Sequence, residues 1–411
     1  MIEEAANLNI EHGIHIVRRY EDVLDVSHKM SIEARLKGKE TSQMSVKSII
    51  GDFHGCGSWR VLYPSIVVST MKEDLKMSYE QFFDPNDQSV YRHQDMIIFQ
   101  RQVAPGFLPA MQQFNKVVEE NRIPVVAAFE IDDWLFGIPP YNMAYDLYAN
   151  KLGEKYLKDC LEMFDAMIVS TDYLKKIYID KFAGGEDRIW VMKNHIPRFL
   201  WDFDIDEKTD FTLVNGEGKK PRILFAGGAN RFAVKGDDLN IRDDIAQLEP
   251  VIRNTIDEFQ WVFMGAQPLR LADLFDKGKI EHVPWFANLG YPKALKRLKV
   301  DIAISPLLIN DFNKGKSNIK ILEYGAVGLP SIYTDVTCYD ELPDWMKVKS
   351  GDSDAWEAKI REYVTDTDLR AKAQQVQLDI LSQYWLEDNV DKYRNTYREI
   401  ILKVLKDKGS F

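Results

Sequence analysis

Three groups of residues in this chain have the types and spacing that chemistry on a phosphorylated ligand needs. The first lies in Asp311 to Asp335, DFNKGKSNIKILEYGAVGLPSIYTD. It reads as loop, helix, tight turn and strand, with Ser317 as helix cap and Gly328-Leu329-Pro330 as the stop. A helix start offers free backbone N–H groups and the positive end of a dipole to an anion. Lys316, Lys320 and Glu323 are spaced four and three apart, which predicts one shared helix face. The lysines would meet a diphosphate, and Glu323 would accept hydrogen bonds from ribose hydroxyls. The plainer alternative is a surface ion pair between Lys320 and Glu323, of a kind that is common and weak.

The second group crowds Glu130, Asp132 and Asp133 into four residues at the end of an apolar run. Such charges repel and are seldom buried without a partner. Three roles compete for them: recognising hydroxyl groups, capping the following turn, and holding a metal. Arg101, just past another apolar run, would pair with them or reach a substrate. The third group consists of small-residue loops beside cations. Gly55-Cys56-Gly57-Ser58-Trp59-Arg60 is no dinucleotide fingerprint, because the third glycine of GxGxxG would fall at Arg60. Tight-turn geometry explains its glycines as well as a ligand does. Gly227-Gly228-Ala229-Asn230-Arg231 leaves a strand with Lys235 beyond it, and Gly265 ends the run QWVFM. Arg231 and Lys235 are either phosphate-binding cations or solvated surface charges. Pro284-Trp285-Phe286 would hold a base or pack in a core. His54 and His195 are the histidines that strand ends would bring to a site, and packing or capping explains each of them too.

The elements that position these residues alternate between strand and helix. Val46 to Asp52, Met96 to Phe99, Pro124 to Phe129, Ala166 to Ser170 and Ile189 to Met192 read as strands. Pro109 to Glu120, Tyr145 to Phe164 and Asp172 to Phe182 read as helices. After a polar stretch from Asp204 to Lys220 the alternation resumes with Arg222 to Phe225, Gln260 to Met264, Ile280 to Val283, Val300 to Leu308 and PSIYT. Helices follow from about Ser353 to Tyr384 and Glu387 to Lys406. This order predicts an α/β protein with parallel sheets covered on both faces, whose ligands bind at the carboxyl ends of the strands.

FNKGKSNIKILEYGAVGLPSI resembles the donor-site segment of retaining GT-B glycosyltransferases that use nucleotide sugars (the group 1, family 4-like kind). FEIDDWLFGIPPYN is similar to a segment of bacterial and phage members. The resemblance runs from about Ser45 to the C-terminus. It implies two doubly wound Rossmann-like domains facing a cleft, with a last helix crossing back to the first domain near Trp385. The expected boundaries are an extension over 1–44, an acceptor domain over 45–205, a donor domain over 206–384 and a crossing helix over 385–411. It further implies transfer of a hexosyl or pentosyl group from a nucleoside diphosphate, UDP-sugar first among them, to a hydroxyl. The implied catalytic residues are Asp132, Asp133, Arg231 and Lys316. The implied donor-binding set is Gly55, Gly57, Arg60, Arg231, Lys235, Gly265, Lys316, Ser317, Asn318, Lys320 and Glu323. The implied acceptor set is Arg101, Glu130, Asp132 and His195, with no metal and no tightly bound cofactor. The sequence departs from the family at Gly315, where many retaining members carry a second glutamate eight residues before the ribose-binding one. A sugar-nucleotide epimerase and a non-catalytic scaffold are alternatives on the same fold. The acceptor is a glycan or a hydroxylated base in phage-type DNA.

Composition bounds these readings. At 411 residues the chain exceeds one ordinary core, so two domains are expected. A net charge of −11 argues against nonspecific coating of nucleic acid or anionic lipid, although Arg18, Arg19, Arg35, Lys37 and Lys39 make the N-terminal stretch locally basic. Three distant cysteines without a CxxC pair fit a reducing compartment and no zinc site. With no signal-peptide layout at the start and no apolar run near the roughly 20 residues of a membrane span, the expectation is a cytoplasmic protein (host cytoplasm if phage-encoded).

Overall fold

The computed structural model describes residues 43–104, 106–121, 123–148, 151–203, 212–213, 219–233 and 242–408. The expected N-terminal extension, apart from its last residues, lies outside them, as do Lys235 and most of the expected linker. Two compact units emerge. The N-terminal unit holds described residues 43–134, 151–198 and 385–408, and the C-terminal unit holds 135–148 and 199–384. Residues 135–148 therefore belong with the C-terminal unit although the sequence reading put them in the first domain, and that unit resumes at 199 instead of 206.

The N-terminal unit is built on a six-stranded sheet: β1 (Met44–Ile49), β2 (Leu75–Glu80), β3 (Met96–Gln100), β4 (Val126–Ile131), β5 (Ala166–Val169) and β6 (Ile189–Val191). Every pairing is parallel and the order is β2-β1-β3-β4-β5-β6. The strands β3, β4 and β5 are buried along their whole lengths, which is why they read as continuous apolar runs and not as alternating ones. Phe83, Phe99 and Phe114 meet edge-on in the core of this unit, and Phe164 packs tilted against Phe99.

The sheet of the C-terminal unit comprises β7 (Arg222–Gly227), β8 (Gln260–Gly265), β9 (Glu281–Val283), β10 (Ile302–Ser305), β11 (Ser331–Thr334) and β12 (Lys347–Val348). Its order is β12-β11-β10-β7-β8-β9, again all parallel. Numbered within the unit this is the doubly wound 3-2-1-4-5-6 order, whose direction of winding reverses between β7 and β10. In the first sheet the reversal falls between β1 and β3. β2 and β12 are strands that the sequence reading did not find, and both are sheet edges.

Helix boundaries moved where caps intervene. The expected helix from Ser353 to Tyr384 is two, Ser353–Thr365 and Thr367–Leu381, because the Asp366 carboxylate caps the second by accepting from the Leu369 amide at 2.9 Å. Tyr145 to Phe164 divides into Tyr145–Tyr148 and Lys151–Leu161. The chain returns to the N-terminal unit through a parallel bridge between Ile196 and Trp385 and a Leu386 N–H to Ile196 carbonyl bond of 2.9 Å. The helix Val390–Asp407 then packs on the helix Tyr63–Met71 and on β4, as the crossing helix was expected to do.

His195 lies under that helix. It is buried, its Nδ1 stands 3.1 Å from the Tyr393 hydroxyl, and burial beside Lys392 and Arg60 lowers its pKa from 6.5 to about 3. This corrects the acceptor-binding expectation: the imidazole is a neutral packing group holding the returning helix. Unfolding restores the ordinary pKa, so the unfolded chain takes up the proton first and stability falls as pH drops from 6.5 toward about 3. We predict a slope of up to about 1.4 kcal/mol per pH unit from this one group, lost in His195→Gln. Urea unfolding at several pH values measures it, and parallel slopes for both proteins would refute the assignment.

Candidate functional site

In the N-terminal unit the loop after β1 turns into a single helical turn, Gly55–Gly57, and a wider π turn, Ser58–Leu62. The Asp52 carboxylate caps it, accepting from the His54 amide at 2.7 Å and the Gly57 amide at 3.4 Å. A Cβ on Gly57 would stand 1.6 Å from the Asp52 carbonyl oxygen, so this glycine is required by the turn. Gly55 has open space around its Cβ direction. His54 is exposed at the start of the turn.

Arg60 points inward. Its Nε donates to Glu130 Oε1 at 2.5 Å and its Nη1 to the Met192 carbonyl at 2.6 Å and Asn194 Oδ1 at 2.8 Å. Both partners of the ion pair have side chains only 3% exposed. This corrects two expectations. Arg60 is not a donor-phosphate cation but an interior tie joining the β1 loop to the ends of β4 and β6. Glu130 faces that guanidinium instead of a substrate hydroxyl. Burial still outweighs the arginine and raises the Glu130 pKa to about 7.

The remaining carboxylates sit at the winding reversal of this sheet. Cys56 Sγ and one oxygen each of Asp132 and Asp133 lie within 4.8 Å of one another, close enough to hold a divalent ion. A guanidinium stands there: Arg101 Nη1 is 3.2 Å from Cys56 Sγ and 3.2 Å from Asp133 Oδ2. Arg101 reaches this position with a left-handed backbone, φ 55°. Burial, then the charge of Asp133, raise the Asp132 pKa, and its Oδ1 accepts no hydrogen bond among the described residues. The arrangement offers an acceptor-rich, partly neutralised patch suited to hydroxyl donors.

In the C-terminal unit β7 and β8 end side by side on glycine. Gly265 has φ 110°, and a Cβ there would stand 2.4 Å from the Gly227 carbonyl oxygen and 3.3 Å from the Trp285 ring. The two glycines let the backbones close up under the indole of Trp285, which is 58% exposed and not the core aromatic that the alternative reading described. The turn Ala229–Arg231 follows β7. The Arg231 side chain is only 16% exposed, and its guanidinium makes no hydrogen bond among the described residues. Its nearest carboxylate is Asp244, with Nη1 to Oδ2 at 3.8 Å. It is therefore not a solvated surface cation.

The loop after β10 leads through a short turn, Asp311–Lys314, to the helix Ile319–Ala326. The cap residue is Asn318, not Ser317, and its side chain makes no cap bond; it donates to Glu341 at 3.0 Å. Lys316 consequently precedes the helix and does not share its face with Glu323. Its ammonium lies over the Phe312 ring at 4.1 Å. Lys320 is on the helix and donates to Glu323 Oε2 at 2.7 Å and to the Tyr291 hydroxyl at 3.2 Å. The pair is buried, with side chains 15% and 7% exposed, so it is neither the surface pair of the plain reading nor a diphosphate contact. The Tyr291 hydroxyl also donates to Glu323 Oε2, at 3.2 Å. Both donors fall on one oxygen, and Oε1 accepts nothing among the described residues. Tyr291 and Asp244 belong to this site and were not found from sequence. The mixed segment around Tyr291 carries no motif, and Asp244 is one of several aspartates in a polar stretch.

No family model matches the chain, and no curated protein matches it. Solved structures do. A glycosyltransferase from Rickettsia africae ESF-5 aligns over 87% of this chain and 99% of its own, with TM-score 0.54 and 14% identity. HepE from Anabaena, solved in complex with UDP, aligns over 87% of this chain and 100% of its own, with TM-score 0.55 and 11% identity. The likeness shows the fold: this chain has the GT-B architecture of two Rossmann-like units.

We predict that Arg60→Met destabilises the fold, by at most about 3–5 kcal/mol, because Glu130 loses its partner and must be buried as the protonated acid with its hydrogen bond unmade. Arg60→Met combined with Glu130→Gln recovers part of the loss. Denaturant unfolding tests this; an Arg60→Met variant as stable as the wild type would refute the structural role.

Proposed function

We propose that this protein is a glycosyltransferase taking a sugar from a nucleoside diphosphate, a UDP-sugar first among them, and passing it to a hydroxyl with retention. The observation that carries the reading is the Arg231 guanidinium, largely buried and without a hydrogen bond among the described residues, at the winding reversal of a 3-2-1-4-5-6 sheet. Ligands of such sheets bind at that point, outside the carboxyl ends of the strands. A buried cation with its donors unused calls for an anion. Lys316 leaves the adjoining strand of the same reversal, ahead of the helix start. Glu323 adds a carboxylate with one oxygen anchored and the other open to ribose hydroxyls. The exposed Trp285 ring over paired glycines suits a base. The GT-B fold supports the reading, as does the UDP held by HepE.

In this mechanism the bond from the anomeric carbon to the diphosphate oxygen breaks and a bond to the acceptor oxygen forms on the same face. The acceptor proton passes to the departing phosphate. Arg231 and Lys316 stabilise the charge that grows on the diphosphate, an interaction stronger in the transition state than in the ground state. Lys320 and Tyr291 act through Glu323, holding its carboxylate. Asp132 and Asp133 orient acceptor or sugar hydroxyls, with Arg101 setting their charge.

Thermal shift with UDP, GDP and ADP tests the donor. We predict stabilisation by UDP, about 2.7 kcal/mol at roughly 100 times the dissociation constant. Glu323→Ala and Lys316→Ala should each weaken binding about ten- to a hundredfold, the loss of one charge-assisted hydrogen bond. Product analysis by NMR then separates transfer from epimerisation of the donor. No shift with any nucleotide would sink the proposal.

A further inference from the structure

Behind Arg231 lies a polar cluster that no step above uses. Asp244 and Asn313 are both fully buried, yet Asp244 Oδ2 and Asn313 Oδ1 accept no hydrogen bond among the described residues. The other Asp244 oxygen is saturated. Oδ1 accepts from the Leu308 amide at 2.8 Å, from Asn313 Nδ2 at 2.9 Å and from the Tyr141 hydroxyl at 3.2 Å. Three donors on one oxygen fix the plane of the carboxylate and leave Oδ2 facing Arg231 Nη1. The main chain adds a second tie, from the Asp244 amide to the Arg231 carbonyl at 3.2 Å. Burial, reinforced by the Asp244 charge, keeps Tyr141 protonated and therefore a donor.

The 3.8 Å separation is the informative distance. It is too long for a hydrogen bond and short enough for strong attraction in a buried setting. The guanidinium is thus oriented without being captured, and its N–H groups stay available. The same cluster reaches the other flank of the winding reversal. Asn310 Oδ1 accepts from the Asn313 amide at 2.8 Å, capping the turn that leads to Lys316, and Asn313 Nδ2 also donates to the Leu308 carbonyl at 2.9 Å. Tyr141 comes from residues 135–148, the segment that the first half of the sequence lends to this unit.

We propose that Asp244, oriented by Tyr141 and Asn313, is the positioning residue of the diphosphate site, aiming Arg231 at the anion, and that the site is incomplete without the 135–148 segment. The inference rests on the nucleotide-sugar reading above. It makes a prediction of unusual sign. A carboxylate near a diphosphate repels it, so a purely electrostatic role requires Asp244→Asn to strengthen binding. A positioning role requires the substitution to weaken it.

The test is calorimetric titration of the full chain with UDP, GDP and ADP, each beside its own nucleoside. With Asp244→Asn, the diphosphate that binds wild type should lose about tenfold or more in affinity while its nucleoside changes less than about twofold. Tyr141→Phe, which alters no charge, should show the same split with a smaller loss; it carries the test if Asp244→Asn does not fold. Unchanged or tighter diphosphate binding in the folded variants overturns the inference, as does equal loss for nucleoside and diphosphate, which marks a merely structural residue. Failure of the wild type to bind any of the three diphosphates overturns the nucleotide-sugar reading, and this inference with it.

Discussion

A parallel strand cannot be joined to its neighbour by a tight turn; the connection has to cross the sheet. Where successive crossovers leave in opposite directions, the strand-end loops separate and the carboxyl edge of the sheet opens. Both sheets here are wholly parallel, and each has one such reversal, between β1 and β3 and between β7 and β10. The residues with chemical character gather at these two places. Cys56, Arg101, Asp132 and Asp133 collect at or beside the first, and Arg231, Asp244 and Lys316 at the second. Strand order therefore explains why side chains far apart in sequence meet, with no appeal to the individual loops.

Two arginines show how burial sorts structural from available charge. Arg60 and Arg231 each follow a strand closely, and both side chains are largely withdrawn from water. Arg60 meets a carboxylate, a backbone carbonyl and an amide oxygen at 2.5–2.8 Å, so the desolvation of its charge is answered inside the protein. Arg231 meets one carboxylate oxygen at 3.8 Å. Asp244 balances its charge across that distance, but the guanidinium N–H groups donate no hydrogen bond among the described residues. Lys320 resembles Arg60 in this respect, since Glu323 and Tyr291 occupy it.

Much of this was legible in the sequence because buried parallel strands announce themselves as apolar runs. MIIF, RILF, QWVFM and DIAIS all became strands. The two missed strands are edges, where one side of the ladder is unpaired and polar residues are tolerated: LKMSYE alternates with polar positions, and Lys347–Val348 is too short for any periodicity. The local geometry around the candidate residues was harder to read than the strands. Spacing puts Lys316, Lys320 and Glu323 on one face only where helical geometry extends back to Lys316, and the helix begins at Ile319. Whether an arginine points into the core or toward a ligand is a tertiary matter that its neighbours in sequence do not encode, as Arg60 illustrates. Tyr141 could not be found from sequence, since its partners lie 103 and 172 residues away.

The glycine at 315 bears on how the site handles charge. Its φ of −72° is ordinary right-handed backbone, so no left-handed conformation demands glycine there. Nearby, Lys314 pairs with Asp311 at 3.4 Å, while the Lys316 ammonium lies on the Phe312 ring. An aromatic face orders a cation without neutralising it, at a gain of about 0.5–2 kcal/mol. A glutamate at 315 would stand next to Lys316 in the chain and offset its charge at close range. With glycine in that position residue 315 itself brings no carboxylate to Lys316, on the side of the winding reversal opposite Arg231.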